Sequence, residues 1–129
     1  MTNPFIQNPP YVNQHLAKRL QSAISKYGSL VIGVDYDNTL QDYNSKYFYE
    51  DITSLVKKAK AKGHTICIWT ANTQPTVVKM MLAYQGIPYD LFNNSPIMNE
   101  RRKPHFNILL DDIAGLNEAY HTLNYVLGD

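Results

Sequence analysis

Leu30-Val31-Ile32-Gly33-Val34-Asp35 is a short apolar run, rich in β-branched residues, that stops on a carboxylate. A strand with one wet face alternates apolar and polar residues, whereas a run that is apolar throughout suits a strand buried on both faces. The chain from His64 to Thr70 reads the same way, as does Phe106-Asn107-Ile108-Leu109-Leu110-Asp111, although Asn107 interrupts it. A shorter strand is expected at about Tyr89 to Phe92. Between these runs the period changes to that of helices. Leu16, Leu20, Ile24 and Tyr27 form one stripe, with Asn13 placed to cap its start and Gly28 its end. Residues 51–62 carry Ile52, Leu55, Val56 and Ala59 on one face and stop at Gly63. Thr73 and Pro75 open a third helix with Val77, Val78, Met81 and Leu82, closed at Gly86. A last helix at about 116–127 ends at Gly128. Apolar strands alternating with helices imply right-handed parallel βαβ units with helices on both faces. The expectation is an α/β fold, a three-layer α/β/α Rossmann-like domain with about four parallel strands.

Composition bounds the reading. The chain has 129 residues, 44% of them hydrophobic and 18% charged, which suits one globular domain over 1–129. Residues 1–10 read as an irregular arm. The formal net charge of +1 is far from the basic excess of a protein that grips nucleic acid through its phosphates alone. Cys67, the single cysteine, lies in an apolar run and reads as a small buried hydrophobe. The polar, proline-rich start does not resemble a signal peptide, and no stretch approaches membrane-spanning length. The expected compartment is cytoplasmic.

In open parallel sheets, sites form at the carboxyl ends of the strands, and three strands here end in reactive groups. Asp35 ends the first, and Asp37 follows two residues on, so in extended chain both face the same side. One carboxylate can attack phosphorus to form an acyl-phosphate. The other can protonate the leaving oxygen and then activate water. A magnesium ion would relieve the repulsion between them and neutralise phosphate oxygens. A lone Asp-x-Asp is more often a solvated turn than a catalyst. Asp111-Asp112 changes that balance, because a second acidic pair ends another buried strand of the same sheet. By itself that pair would read as a helix cap. Thr70 ends a third strand, and its hydroxyl with the backbone N–H groups of Ala71 and Asn72 could grip a phosphate. Lys103, in Arg101-Arg102-Lys103-Pro104, could balance the acidic cluster; Arg101 and Arg102 read as a solvated basic loop.

The segment Val31-Ile32-Gly33-Val34-Asp35-Tyr36-Asp37-Asn38-Thr39-Leu40 resembles motif I of the haloacid dehalogenase (HAD) superfamily. Thr70 resembles its motif II, Lys103 its motif III and Asp111-Asp112 its motif IV, all in order over residues 31–112. The run from Lys103 to Asp112 also looks like small members from bacteria and phages. The resemblance implies strand order 3-2-1-4 and a role for each position. Asp35 would be the nucleophile and a magnesium ligand. Asp37 would be the general acid/base and would offer its backbone carbonyl to the metal. Thr39 would brace the turn, Thr70 and Lys103 would hold the phosphoryl group, and Asp112 would ligate the metal. Asp111 would orient Lys103 or sit behind the ligands. Members that dehalogenate or pump ions lack an acid/base aspartate at the position of Asp37. The implied activity is therefore a phosphatase, a magnesium-dependent phosphomonoester hydrolase acting through an aspartyl-phosphate.

There is no room for a large cap domain, only a small flap at 40–50. An open site suits a nucleic-acid 3′-phosphate end or a phosphoprotein, and a nucleotide if the flap closes over it. The leading substrate expectation is a nucleotide or nucleic-acid end. The alternatives are a protein or small-metabolite phosphatase, and a non-catalytic phosphate- or metal-binding module. Tyr36, Tyr43, Tyr47, Phe48 and Tyr49 could stack on a base, but aromatics mostly serve burial. Of the four histidines, only His105 is expected near the site.

Overall fold

The computed structural model describes residues 1–96 and 105–129. The elements run α1 (Gln14–Tyr27), β1 (Val31–Val34), α2 (Glu50–Ala61), β2 (Thr65–Ile68), α3 (Pro75–Tyr84), β3 (Leu91–Phe92), β4 (Ile108–Leu110) and α4 (Leu116–Leu127). The four strands form one parallel sheet in the order β3-β2-β1-β4. The fold is the expected small α/β fold with a four-stranded parallel sheet and no large cap domain.

The opening run is apolar at every position for two different reasons. Ile32 and Val34 pair in register with Ile66 and Ile68 on one side and with Ile108 and Leu110 on the other. These six side chains share one face and join a single core with Leu20 of α1, Ile52 of α2, Leu82 of α3 and Leu123 of α4. Gly33 faces the other way, level with Cys67 and Leu109. A Cβ at Gly33 would lie 2.8 Å from the Phe106 ring, a distance at which the ring would have to move. Trp69 in turn meets the Phe106 ring edge-on, with centroids 5.8 Å apart. Among the described residues it is these loop side chains, not a helix, that meet this second face. Topology gives the reason. The steps β1 to β2 and β2 to β3 run in one direction, so right-handed crossovers put α2 and α3 on the same face. In strand order, the step from β3 to β4 runs back the opposite way along the sheet.

Local chemistry accounts for the helix ends. Asn13 Oδ1 accepts the Leu16 N–H at 3.0 Å, and Gly28 closes α1 in the left-handed region at φ 86°. Ala17 rather than Tyr27 completes the buried stripe of α1. Tyr27 is 71% exposed because the helix turns it past the edge of the core. All four apolar positions expected in α2 are buried. In α3 the cap is Gln74, not Thr73, with Pro75 starting the helix, where its missing N–H costs nothing. Asn107 is explained by the sheet: its Oδ1 accepts the Val31 N–H at 2.7 Å, and its own N–H donates to Val31 O at 2.8 Å. A polar side chain thus extends the ladder by one position. Cys67 is buried, and burial pushes its thiol up to about 11.

The first ten residues do more than the sequence reading allowed. Asn3 is buried, Gln7 N–H donates to Asn117 Oδ1 at 2.7 Å, and the Gln7 carbonyl lies 2.7 Å from His121 Nε2. The arm is irregular, as expected, but it is stitched to α4 and to the loop after β1. No described helix is long and apolar enough to cross a membrane.

Candidate functional site

β1 and β4 are neighbours, so their carboxyl ends deliver Asp35 and the Asp111-Asp112 pair to one place. The backbone fixes this, since Asp35 N–H donates to Leu110 O at 2.9 Å. One carboxylate oxygen from each of Asp35, Asp111 and Asp112 lies within 4.8 Å of the others. Thr39, fully buried, joins two of them. Its hydroxyl lies 3.4 Å from Asp35 Oδ2 and 3.3 Å from Asp112 Oδ1, and it accepts the Asp112 N–H at 3.0 Å. One hydroxyl carries one proton, so Thr39 can serve one carboxylate at a time. Burial, the Asp112 carboxyl and the Asp111 charge push Asp35 up to about 8. Burial and Asp112 also raise Asp111. Three partly buried like charges cannot all ionise cheaply without a counter-charge.

Asp37 is directed elsewhere. Its Oδ2 accepts from Asn72 Nδ2 at 3.0 Å, while its Oδ1 is buried with no hydrogen-bond partner among the described residues. The turn that aims it is tight. Tyr36 O accepts from the N–H groups of Leu40 and Gln41, at 2.9 and 3.1 Å, and Asn38 takes φ 61°, a value that asparagine tolerates better than most residues. Two carboxylates two residues apart in sequence therefore have different surroundings. Asp35 sits in the acidic cluster, and Asp37 sits beside an amide at the edge of a hollow.

Thr70 is connected to the same place through Asn72. The Asn72 N–H donates to Thr70 Oγ1 at 3.1 Å, and Asn72 Oδ1 accepts the Gln74 N–H at 2.8 Å. This differs from the expectation for Asn72. Its backbone N–H is taken by the Thr70 hydroxyl, and its side chain holds Asp37 instead. The Ala71 N–H, exposed, makes no hydrogen bond among the described residues and is free to meet an anion. Asp111 differs too. It lies in the cluster beside Asp35 and Asp112, whereas the resemblance implies that it orients Lys103 or sits behind the ligands. Asp37 contributes no side-chain oxygen to that cluster. Lys103, Arg101 and Arg102 lie outside the described residues.

His105 is not at this site. It lines a hollow with Tyr27, Ser29, Val31 and Asn107, at the amino end of β1 and therefore at the opposite end of the sheet from Asp35. The flap aromatics divide. Tyr36 and Tyr49 are buried, and Phe48 packs edge-on against Tyr36 with centroids 5.9 Å apart. Tyr43 and Tyr47 are exposed. Packing claims the first three, so only the last two remain free to stack.

Asn3 is a residue that sequence reasoning missed. Its side-chain amide donates to the carbonyls of Asn38 and Thr39, both at 3.1 Å, and its backbone N–H donates to both oxygens of Asp51 at 3.1 Å. It clamps the turn that carries Asp35 and Asp37. A lone asparagine in a proline-rich arm gives no sequence signal of this. The resident group implied by the resemblance is a magnesium ion. The donor set fits it: three carboxylates, all hard oxygen ligands, with burial and their neighbours raising the proton affinity of Asp35 and Asp111.

No match was found. Comparisons with protein-family models, with curated proteins and with solved structures each returned nothing for this chain.

Proposed function

We propose that this chain is a magnesium-dependent phosphomonoester hydrolase of the HAD type, acting through an aspartyl-phosphate on Asp35. The observation that carries the reading is the division of labour between Asp35 and Asp37. Asp35 is packed among carboxylates that need a cation, and Asp37 is turned out of that cluster with one buried oxygen free. A nucleophile and a general acid/base require such unlike surroundings.

In this reading an Asp35 oxygen attacks phosphorus while the ester P–O bond breaks. The electron pair leaves with the ester oxygen, which takes a proton from Asp37. Asp37, now ionised, removes a proton from water, and that water attacks the phosphorus of the acyl-phosphate. Inorganic phosphate leaves and Asp35 is restored. Magnesium, when bound by Asp35, Asp111 and Asp112, would neutralise the phosphate oxygens and the crowded carboxylates. Thr39 orients Asp35 and Asp112, and Asn72 holds Asp37 in place. Ala71 N–H and Thr70 face the phosphoryl group, with Lys103 as the remaining cationic candidate.

The test is release of phosphate from an aryl phosphate with magnesium, with EDTA, and by Asp35→Asn protein. Turnover only in the first case is expected. Wild-type protein with no magnesium-dependent turnover would end the hydrolase reading.

A further inference from the structure

A net charge near neutrality hides a segregation along the chain. Residues 1–34 contain Lys18, Arg19 and Lys26 but no aspartate or glutamate, and all 11 acidic residues follow from Asp35 onward. The three cations belong to α1, where residues three and four apart share a face. They are exposed, and with Ser22, Ala23 and Tyr27 they line one shallow hollow. Ala17 and Leu20, buried, hold the other side of the helix. Among the described residues the ion pairs join Met1 to Glu50 and Lys60 to Asp90, so none of the three α1 cations has a carboxylate partner there. Lys58, Lys60 and Lys62 differ, since each has an acceptor, in Gly128 O, Asp90 Oδ1 and Asp129 O. Glu118 of α4 does approach this segment, but at its start, where it accepts from Asn13 Nδ2 at 2.6 Å.

We propose that this face of α1 binds single-stranded nucleic acid. The face is independent of the hydrolase chemistry. Tyr27 ends α1 and leads through a short link into the amino end of β1, whereas Asp35 follows its carboxyl end. Three unpaired cations with no acid among them make a local field that a polyanion neutralises, and each phosphate they meet releases its counterions. Near-zero net charge is no obstacle to this, because salt screens the more distant acidic groups beyond about 10 Å.

Charge alone does not choose between polyanions, and Tyr27 supplies the choice. Its side chain is 71% exposed. It lines both the basic hollow and the one that holds His105, so there is open space beside it in two directions. Lys26 Nζ lies 5.2 Å from the centre of its ring, which sets a cation beside an aromatic face. Single strands are gripped by this combination, with cations along the backbone and bases stacked on rings. A duplex keeps its bases stacked on one another, and a run of acidic residues brings no flat face to a tyrosine. The shallowness of the hollow also suits a polymer that crosses a surface, whereas a small ligand needs enclosure.

The experiment titrates the full wild-type chain into a fluorescein-labelled oligothymidylate of about 12 nucleotides, with hydroxyl ends, and reads anisotropy. Three phosphate contacts on a single strand give a log–log salt slope of about −2, so affinity should fall about twentyfold between roughly 50 and 200 mM salt. Replacing two cations, Lys18→Ala with Arg19→Ala, should bring the slope to about −0.7. Tyr27→Ala should weaken binding about fivefold or more and leave the slope unchanged. All three positions are exposed, so the variants should melt where the wild type does. Binding should persist in EDTA and in Asp35→Asn protein, which separates this face from the acidic cluster. No binding at the lower salt, a slope that the double variant does not change, or an affinity that Tyr27→Ala does not change would overturn the proposal. Binding lost in EDTA or in Asp35→Asn protein would overturn it too, by placing the strand at the other end of the sheet. Tighter binding of a duplex of the same length, or of oligoglutamate, would overturn it in favour of that partner.

Discussion

The two ends of the central strand carry polar groups of opposite kinds. At the amino end of β1 every polar group named is answered. His64, buried, accepts the Leu30 N–H on Nδ1 at 2.9 Å, and burial lowers its pKa so that it stays neutral. Asn107 answers both backbone groups of Val31. At the carboxyl end, three carboxylates crowd together and a buried Asp37 oxygen has no partner among the described residues. Satisfied polar groups hold a fold together, whereas groups left unsatisfied cost stability and persist where function needs them. The difference marks one end as scaffold and the other as the end where the proposed chemistry would take place.

The largest expected effects break the working end. Asp35→Asn should lower kcat by about a thousandfold or more, because it removes the nucleophile. Asp37→Asn should lower it by about 10²–10⁴-fold, the usual worth of a general acid/base. Both are read by steady-state kinetics on an aryl phosphate. The scaffold end should respond in the other currency. His64→Ala leaves the Leu30 N–H buried and unpaired, which costs about 1–3 kcal/mol, measured by urea unfolding, with kcat unchanged. Asn3→Ala tests a residue that belongs to both descriptions. It should cost a similar amount of stability and also lower kcat with little change in KM, since the clamp acts on the turn and touches no substrate.

The smallest effect is a pH dependence with a definite sign. Asp35 is pushed up to about 8 from an ordinary 3.8, so the folded state holds the proton more tightly than the unfolded chain does. Its stabilising contribution is complete below about pH 4 and is lost as pH rises through about 8. Metal-free wild-type protein should therefore lose melting temperature across that window. Asp35→Asn should flatten the slope and melt a few degrees higher at neutral pH. Magnesium should raise the wild-type value most where Asp35 ionises most readily. Calorimetry at several pH values, with and without the ion, reads all three.

Much of the fold is legible in the sequence because burial writes directly into it. The continuous run at 31–34 and the period of Ile52, Leu55, Val56 and Ala59 are both consequences of packing. The placement of Asp35 and Asp112 follows from the same signal, since each ends a buried strand. What escapes is contact made by single polar residues across distance. Asn3 reaches over 30 positions to the 38–39 turn, and Asn107 substitutes its side chain for a ladder bond, with no period to announce either. His105 was misplaced because nearness to Lys103 in sequence says nothing about which end of a sheet a loop occupies.

The central claim is that phosphoryl transfer passes through Asp35. Asp37→Asn protein, mixed with magnesium and an aryl phosphate, tests it most directly. An aryl leaving group departs without much help from an acid, but the water step still needs a base, so the intermediate should accumulate. Acid quench and peptide mass spectrometry are expected to place one phosphoryl group on Asp35. Turnover with no phosphoryl group on Asp35, or with the group on another residue, would contradict the account.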